Sequence, residues 1–210
     1  QIRVKDLSQK KHLKDNIKDT DGSIIWSLNN DGFYYIKMDK NHRPSSLYFH
    51  LLGTHQNKDI EIYSEKDSGY FLNISETLSK KYLVLNIHNH ETSEVRIINQ
   101  EEKNKKLKLI AKRKKTIEYS IEHDQENSRL LILTNKDNAI DFKLMETSEN
   151  ELNKKNWIDF LPYKEGTLIT NFSCLAQYII VQELENGLPR IVVINKKNKK
   201  KNIIKFDEEI

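Results

Sequence analysis

Two histidines one residue apart, His88 and His90, are the residues whose type and spacing most directly suggest metal chemistry. At the end of an extended strand, residues i and i+2 project from the same face, so two imidazoles there are able to chelate one ion. A metal site also needs a third ligand and supporting hydrogen bonds, whereas this run leads from an apolar strand into Glu91 and Thr92. We therefore predict a solvated hairpin, with no metal and no other cofactor.

Nucleophilic catalysis is the next chemistry to weigh, because serine, histidine and aspartate are all present. An α/β-hydrolase presents its serine on a Gly-x-Ser-x-Gly turn, but the 210 residues contain no such motif and only six glycines. Triads are recognised by geometry rather than by composition, and no strand is followed by a helix here. We predict no catalytic residue in this chain.

The remaining histidines are interpreted as chance surface or blade positions: His12, His42, His50, His55 and His123.

The single cysteine, Cys174, excludes an intrachain disulfide, so the fold does not rely on an oxidising compartment. We predict an inert, buried or half-buried thiol between the first and second strands of its unit. No signal peptide and no apolar run long enough to span a bilayer is recognised. These features predict a cytoplasmic protein that does not enter a membrane.

Trp26 and Trp157 are predicted to fill gaps between blades.

Two basic runs, residues 103–115 and 196–201, raise the question of nucleic-acid binding, because clustered lysines neutralise phosphates without sequence specificity. Acidic residues nearly balance the basic ones, with 31 Asp and Glu against 35 Lys and Arg and a net charge of +4. Both runs fall where outer strands are expected, and charge on outer strands protects exposed sheet edges. The sequence therefore predicts no specific nucleic-acid partner.

A strand pattern that repeats about every 48 residues predicts the elements that hold these side chains. The second strand of each repeat opens at Gly32, Lys81, Arg129 and Gln177, at intervals of 49, 48 and 48 residues. Inward-facing pairs in the third strands keep the same period: Leu47/Phe49, Val95/Ile97, Phe142/Leu144 and Ile191/Val193. Four short strands per repeat of this length are typical of propeller blades. Second strands such as Tyr82–Leu85 are apolar on both faces, as expected between neighbouring blades.

The sequence predicts an all-β fold, a partial β-propeller of about four four-stranded antiparallel blades plus part of one more. The predicted divisions are residues 1–20 as the end of an incomplete blade, and 21–65, 66–115, 116–165 and 166–210 as blades. The predicted strands are Ser23–Leu28, Gly32–Asp39, Ser46–Leu52 and Asp59–Tyr63; Tyr70–Ile74, Lys81–Ile87, Ser93–Ile98 and Leu107–Ile110; Thr116–Ile121, Arg129–Thr134, Ala139–Met145 and Trp157–Leu161; and Thr167–Phe172, Gln177–Val181, Pro189–Ile194 and Ile203–Phe206.

Several stretches, taken in order, go beyond a generic propeller pattern. They are Asp21-Gly-Ser-Ile-Ile-Trp26, Phe33-Tyr-Tyr35, Arg43-Pro44, Gly53-Thr54, Tyr63-Ser-Glu-Lys-Asp67, Thr92-Ser-Glu-Val-Arg96, Glu118-Tyr-Ser-Ile-Glu-His123, Asn156-Trp157 and Glu185-Asn-Gly-Leu-Pro-Arg190. In this order and spacing, from about Ile2 to Phe206, the chain resembles the propeller of oligopeptidase B, or protease II, in the prolyl oligopeptidase family of serine peptidases.

The resemblance implies a seven-bladed propeller joined to an α/β-hydrolase domain in one cytosolic, cofactor-free polypeptide. That domain cleaves oligopeptides after Lys or Arg with a Ser, Asp and His, and the propeller keeps folded proteins out. No family catalytic residue is matched by a position of this chain, so we expect it to be inactive alone. The expected partners are the hydrolase domain, the enzyme's oligopeptide substrates and, through open blade ends, other copies of the chain. The alternative is a stand-alone propeller that binds proteins.

Overall fold

The computed structural model describes residues 1–205, which are built almost entirely from β-strands. The strands are β1 Ile2–Asp6, β2 Lys11–Ile17, β3 Thr20–Trp26, β4 Gly32–Met38, β5 Pro44–Leu51, β6 Ile60–Ser64, β7 Phe71–Glu76, β8 Tyr82–His88, β9 Ser93–Asn99, β10 Leu107–Ala111, β11 Tyr119–Asp124, β12 Arg129–Thr134, β13 Lys143–Ser148, β14 Ile158–Leu161, β15 Thr167–Cys174, β16 Tyr178–Glu185, β17 Leu188–Asn195 and β18 Lys201–Ile203. Short 3-10 turns occupy Gln56–Lys58, Gln125–Asn127 and Lys154–Asn156. Among these residues, no helix is long and apolar enough to cross a membrane.

Strands that follow one another in sequence are neighbours in the sheets. Four sheets of four strands, β3–β6, β7–β10, β11–β14 and β15–β18, are here called blades 1 to 4, and β1 pairs with β2 in a two-stranded sheet. This order, in which each strand pairs with the next, is that of propeller blades. The predicted fold class, a partial β-propeller of four blades plus part of another, is confirmed.

The chain divides into two compact units, each with its own apolar core. Unit 1 comprises residues 1–76, 82–90 and 96–109, and unit 2 comprises residues 77–81, 91–95 and 110–210. The core of unit 1 includes the buried residues Tyr34, Ile36, Leu47, Leu72, Ile74, Leu83, Leu85, Ile87 and Ile98. The core of unit 2 includes Leu131, Leu133, Leu144, Ile169, Phe172, Cys174, Ile179, Val181, Val192 and Ile194.

Second strands are the most buried elements of blades 1 to 3, as their apolar sequences predict. Tyr82, Leu83, Val84 and Leu85 of β8 are all buried, and every residue of β12 after Arg129 is buried. In blade 4, β16 instead alternates buried residues with half-exposed ones such as Ile180 and Leu184. One face of blade 4 is therefore only partly covered.

Two predicted strands of blade 3 begin later than expected. Strand β11 starts at Tyr119 rather than Thr116, because Thr116 has a φ of 66° and follows a turn. Strand β13 starts at Lys143 rather than Ala139, because Asp137, Asn138 and Phe142 all have positive φ values. Left-handed backbone interrupts the extended ladder, so Phe142 is not a strand residue, although its ring packs against the unit 2 core.

The other boundary corrections are small. Trp157 immediately precedes β14 and ends a 3-10 turn, so it is not a strand residue. Cys174 is the last residue of β15 and does not lie between the first two strands of blade 4. The last strand of blade 4 begins at Lys201 and ends at Ile203, earlier than predicted. Phe206 lies outside the described residues.

Candidate functional site: two buried histidine networks

His50, which the sequence left as a chance position, is the centre of a buried network in unit 1. It lies on β5, its side chain has no exposed surface, and both ring nitrogens face carboxylates. Nε2 lies 3.0 Å from Asp15 Oδ1, and Nδ1 lies 2.7 Å from Asp59 Oδ1. Asp15 comes from β2, 35 residues earlier in the chain.

Two further donors join this network, although Asp15 Oδ2 is buried without a hydrogen-bond partner among the described residues. The Tyr35 hydroxyl donates to Asp59 Oδ2 at 2.9 Å, and the Gly53 N–H donates to Asp15 Oδ1 at 2.6 Å. Burial acts to raise the pKa of Asp15, but the hydrogen bonds from His50 and Gly53 outweigh it and hold that pKa below its ordinary value. Asp15 and Asp59 thus both face the ring, and an ionised carboxylate only accepts hydrogen bonds.

The close approach of β4 to β5 at His50 requires a glycine on β4. A Cβ at Gly32 would lie 2.2 Å from the carbonyl oxygen of His50, so only glycine allows the two strands to approach this closely. Phe33, the next residue, packs its ring against the imidazole with a centroid distance of 5.2 Å. Gly32 and Phe33 of β4 thus pack directly against His50.

His123 is the centre of a second buried network, which lies in unit 2 and has the composition of a hydrolytic triad. Its Nδ1 lies 2.8 Å from Ser79 Oγ, and its Nε2 lies 3.0 Å from Glu149 Oε2. Lys81 Nζ lies 2.8 Å from the same Glu149 oxygen. Burial lowers the pKa of His123, although the bond to Glu149 acts to raise it. A serine hydroxyl can donate to Nδ1 while Nε2–H donates to Glu149, so a neutral ring satisfies both of these contacts.

The backbone around Ser79 does not supply the donors that acyl transfer requires. A triad needs N–H groups aimed at the developing oxyanion. The N–H of Leu78 donates to Glu122, that of Lys80 donates to the Thr77 carbonyl, and that of Lys81 donates to Ser79 Oγ itself. The network therefore fastens the turn before β8 to blade 3, and it provides no oxyanion hole from these groups.

A cavity of about 330 Å³ adjoins this network, with Cys174 and Lys196 also in its wall. Burial raises the pKa of Cys174 to about 11, and the negative charge of Asp124 acts in the same direction. The predicted burial of this thiol is confirmed, and the raised pKa favours its protonated form, which is the less nucleophilic one. Lys196 is mostly buried and contacts Asp124 Oδ1 at 2.6 Å. It is thus not the solvated edge charge that the second basic run predicted.

The other candidates from the sequence are not brought together. His88 and His90 are both exposed, and among residues 1–205 no group of three or more His, Cys, Asp or Glu side chains could hold a metal. Trp157 is buried and packs edge-to-face on Tyr119 at 5.3 Å, as predicted. Trp26 is 40% exposed, so the prediction that it fills a gap is wrong. It lies at the end of β3, where only Phe33 forms a ring contact with it among the described residues.

Side chains from the stretches that carry the family resemblance form hydrogen bonds, here called clamps, between consecutive strands and blades. In unit 2, the Tyr119 hydroxyl donates to the Ala111 carbonyl at 2.6 Å and accepts from the Val95 N–H at 2.8 Å. In unit 1, Arg43 Nη1 donates to the carbonyls of Asp67 and Tyr70 at 2.8 and 2.9 Å. These contacts tie neighbouring strands and blades together through side chains of the recognised stretches.

Comparison with known proteins supports this interpretation of the fold. The chain is 30% identical over 196 residues to Protease 2 of Moraxella lacunata, an alignment that covers 92% of the chain and 28% of the relative. It is 24% identical over 208 residues to Dipeptidyl aminopeptidase BI of Pseudoxanthomonas mexicana, covering 99% of the chain and 28% of the relative.

Solved structures show the same architecture. Oligopeptidase B from Leishmania major superposes with a TM-score of 0.92 at 20% identity, over 98% of this chain and 30% of that one. Oligopeptidase B from Trypanosoma brucei gives a TM-score of 0.86 at 22% identity, over 94% of this chain and 29% of that one. The chain thus spans less than a third of the length of these relatives. Residues 1–210 match the family described as "Prolyl oligopeptidase, N-terminal beta-propeller domain", and the chain belongs to that family.

Proposed function

We propose that this chain is the substrate-filtering part of an oligopeptidase B-like serine endopeptidase that cleaves short peptides after Lys or Arg. The cleavage chemistry belongs to an α/β-hydrolase domain of the same polypeptide, outside these 210 residues. The observation that carries the proposal is the 30% identity to Protease 2 along 92% of the chain. The small share of each relative that the chain covers supports a further domain.

The site geometry supports a role in gating rather than in bond cleavage. The serine with the most triad-like surroundings, Ser79, lies in a turn whose nearby N–H groups already have acceptors. Blades joined by buried clamps, such as that of Tyr119, make a rigid wall. A rigid wall over an active site admits extended peptides and excludes folded proteins by size.

Hydrolysis of a short arginine amide tests where the chemistry resides. The full-length protein is expected to cleave this amide and to lose the activity on treatment with a serine-directed phosphonate. The 210-residue chain is expected to show no cleavage. Cleavage by the chain alone, abolished in Ser79→Ala, would overturn the assignment of catalysis to another domain.

Substrate choice tests the specificity and the gate separately. The full-length protein is expected to cleave peptides that have Arg or Lys before the scissile bond. It is not expected to cleave an otherwise identical peptide that has Pro at that position. Preference for proline would contradict the specificity. Equal rates on a short peptide and on a folded protein that displays the same bond would contradict the gate.

Self-association and location are part of the same proposal. Blade 4 has half-exposed apolar side chains at Leu168, Ile180, Leu184, Ile191 and Val193, and faces of this kind favour association. We expect the isolated chain to form concentration-dependent oligomers in sedimentation velocity, and a constant monomer mass would contradict this.

We also propose a cytoplasmic enzyme without cofactor or specific nucleic-acid partner. Tight DNA binding that persists at moderate salt would contradict the last point.

A further inference from the structure

The hairpin between β16 and β17 carries the only Asn-Gly dipeptide of the sequence, Asn186-Gly187. Glu185 pairs with Leu188, so these two residues form the whole turn. Their φ values are 54° and 79°, and the two-residue turn that suits a hairpin requires positive φ at both positions. Asparagine and glycine adopt this backbone more readily than other residues. The local sequence thus places this dipeptide at the tip of the hairpin.

Both groups that would react in this dipeptide are accessible. Asn186 and Gly187 are exposed. Within residues 1–205 the Asn186 side chain makes no hydrogen bond, and the Gly187 N–H donates none. Leu188, which follows the turn, is 55% exposed. A segment with few buried contacts opens locally at a low free-energy cost, so the peptide group between Asn186 and Gly187 is able to rotate.

The two Asp-Gly dipeptides of the chain, Asp21-Gly22 and Asp31-Gly32, have the same kind of chemistry but a different setting. The N–H of Gly22 donates to Thr20 Oγ1 at 2.8 Å. Gly32 is buried in β4, where even a Cβ would collide with the neighbouring strand. Rotation of either peptide group would disrupt these contacts. Of the three dipeptides in the described structure, Asn186-Gly187 is therefore the one best placed to react.

We propose that Asn186 is a site of spontaneous modification, at which the backbone nitrogen of Gly187 attacks the side-chain carbonyl carbon Cγ. A solvent base takes the proton of that nitrogen, the N–Cγ bond forms, and the Cγ–Nδ2 bond breaks with release of ammonia. The product is a five-membered succinimide ring. Water then adds to one of the two ring carbonyl carbons and opens the ring to aspartate or isoaspartate. Glycine favours the attack because it has no side chain that shields its nitrogen.

Isoaspartate changes the backbone of the turn as well as its charge. It places Cβ in the main chain, so the link between Glu185 and Leu188 becomes one atom longer. Turn length fixes the register of a hairpin, so we expect this last pair of the ladder to separate. The new carboxylate also lies next to Glu185, which pairs with Lys164 and Arg190. Arg190 keeps its other partner, Glu183, at 3.0 Å, so the change stays at the end of the hairpin.

Peptide mapping of the 210-residue chain tests the proposal without any peptidase activity. After incubation at mildly alkaline pH, a brief tryptic digestion at mildly acidic pH, which slows the reaction, releases residues 165–190 with both Asn171 and Asn186. Fragmentation is expected to place the loss of the amide nitrogen at Asn186, with isoaspartate as the main product. Asn171 is the internal control and is expected to stay unchanged, because its Oδ1 already accepts the N–H of Phe172 at 2.9 Å.

A synthetic peptide with the sequence of residues 184–190 gives the rate of the dipeptide without the fold. Conversion of this peptide while Asn186 of the folded chain remains an asparagine would overturn the proposal, since the hairpin would then protect the site. Equal conversion of Asn171 and Asn186 would also overturn it, because the reaction would not depend on the exposed turn.

Two forms of the chain separate the effect of backbone length from that of charge. Asn186→Asp carries the new charge on an unchanged backbone, whereas the incubated chain, purified by ion exchange, carries isoaspartate. Hydrogen exchange at the amides of Glu185 and Leu188 is expected to be faster in the isoaspartate form and unchanged in Asn186→Asp. The pair of Ile179 and Ile194, at the other end of the same ladder, is the control. Unchanged exchange in the isoaspartate form would contradict the separation of the last pair.

Discussion

His50 in unit 1 and His123 in unit 2 are both buried and bonded through both ring nitrogens, yet their partners differ in one chemical respect. His50 faces two carboxylates, whereas His123 faces one carboxylate and one hydroxyl. A hydroxyl donates or accepts, but an ionised carboxylate only accepts. The first network therefore presents two carboxylate acceptors to its ring, and the second is satisfied by a neutral ring.

The comparison shows that the same residue type joins two carboxylates in one unit and a carboxylate and a hydroxyl in the other. It also explains why the Ser79–His123–Glu149 arrangement does not by itself indicate catalysis. Its geometry resembles a triad, but its hydrogen bonds are those of a closed structural link. The roles of both histidines follow from what surrounds them and not from their spacing in the chain.

Replacing His50 with alanine is expected to produce the largest effect, because it leaves Asp15 and Asp59 buried without the ring that both of them contact. Leaving one buried polar group unsatisfied costs about 1–3 kcal/mol, and more if the group is charged; two are left here. Urea unfolding followed by the fluorescence of Trp26, in a Trp157→Phe background, reports on unit 1. His12→Ala, at an exposed position of the same unit, is the control. A loss as small as that of the control would show that the carboxylates are not held by His50.

His123→Ala is expected to cost less, about 2 kcal/mol in unfolding free energy, because a neutral connector is lost and Glu149 keeps its bond to Lys81. The fluorescence of Trp157, in a Trp26→Phe background, reports on unit 2. Gln125→Ala, at an exposed position beside His123, is the matched control. A loss equal to that of His50→Ala would remove the distinction between the networks.

The pH dependence of unit 2 should carry the signature of His123. Its pKa is lowered in the folded state, so the unfolded chain binds the proton more strongly. Stability is therefore expected to fall as the pH drops below about 6.5, the ordinary histidine value, by at most about 1.4 kcal/mol per pH unit. His123→Gln should flatten this part of the profile measured by Trp157 fluorescence. An unchanged slope would refute the neutral assignment.

Ser79→Ala removes only the hydroxyl that meets His123 Nδ1, and is expected to cost about 1 kcal/mol. A fluorescent phosphonate is expected to label neither the unaltered chain nor this variant. Labelling that depends on Ser79 would mean that the network activates a nucleophile after all.

Counting ring N–H groups tests the neutral assignment of His123 without any substitution. In nuclear magnetic resonance spectra at neutral pH, His123 is expected to show one slowly exchanging ring N–H signal. Two such signals would contradict the neutral assignment.

The strands could be predicted because alternation and β-branched composition act locally. Strand β12 begins and ends where the sequence predicted, and the all-buried pattern of β8 follows from its four apolar residues. The errors at Thr116 and at residues 139–142 arose because apolar residues such as Ala139 are also buried in turns. Positive φ values, and not hydrophobicity, decide where those strands begin.

The sequence by itself determined the blade repeat and the resemblance to the prolyl oligopeptidase family, since each depends on local pattern or on residues in order. Only the tertiary structure decided the histidine networks. Asp15 lies 35 residues from His50, Ser79 lies 44 from His123, and Glu149 lies 26 beyond His123. Nothing local specifies such pairs, because the packing of successive strands and sheets brings them within hydrogen-bonding distance and excludes the water that would otherwise solvate them.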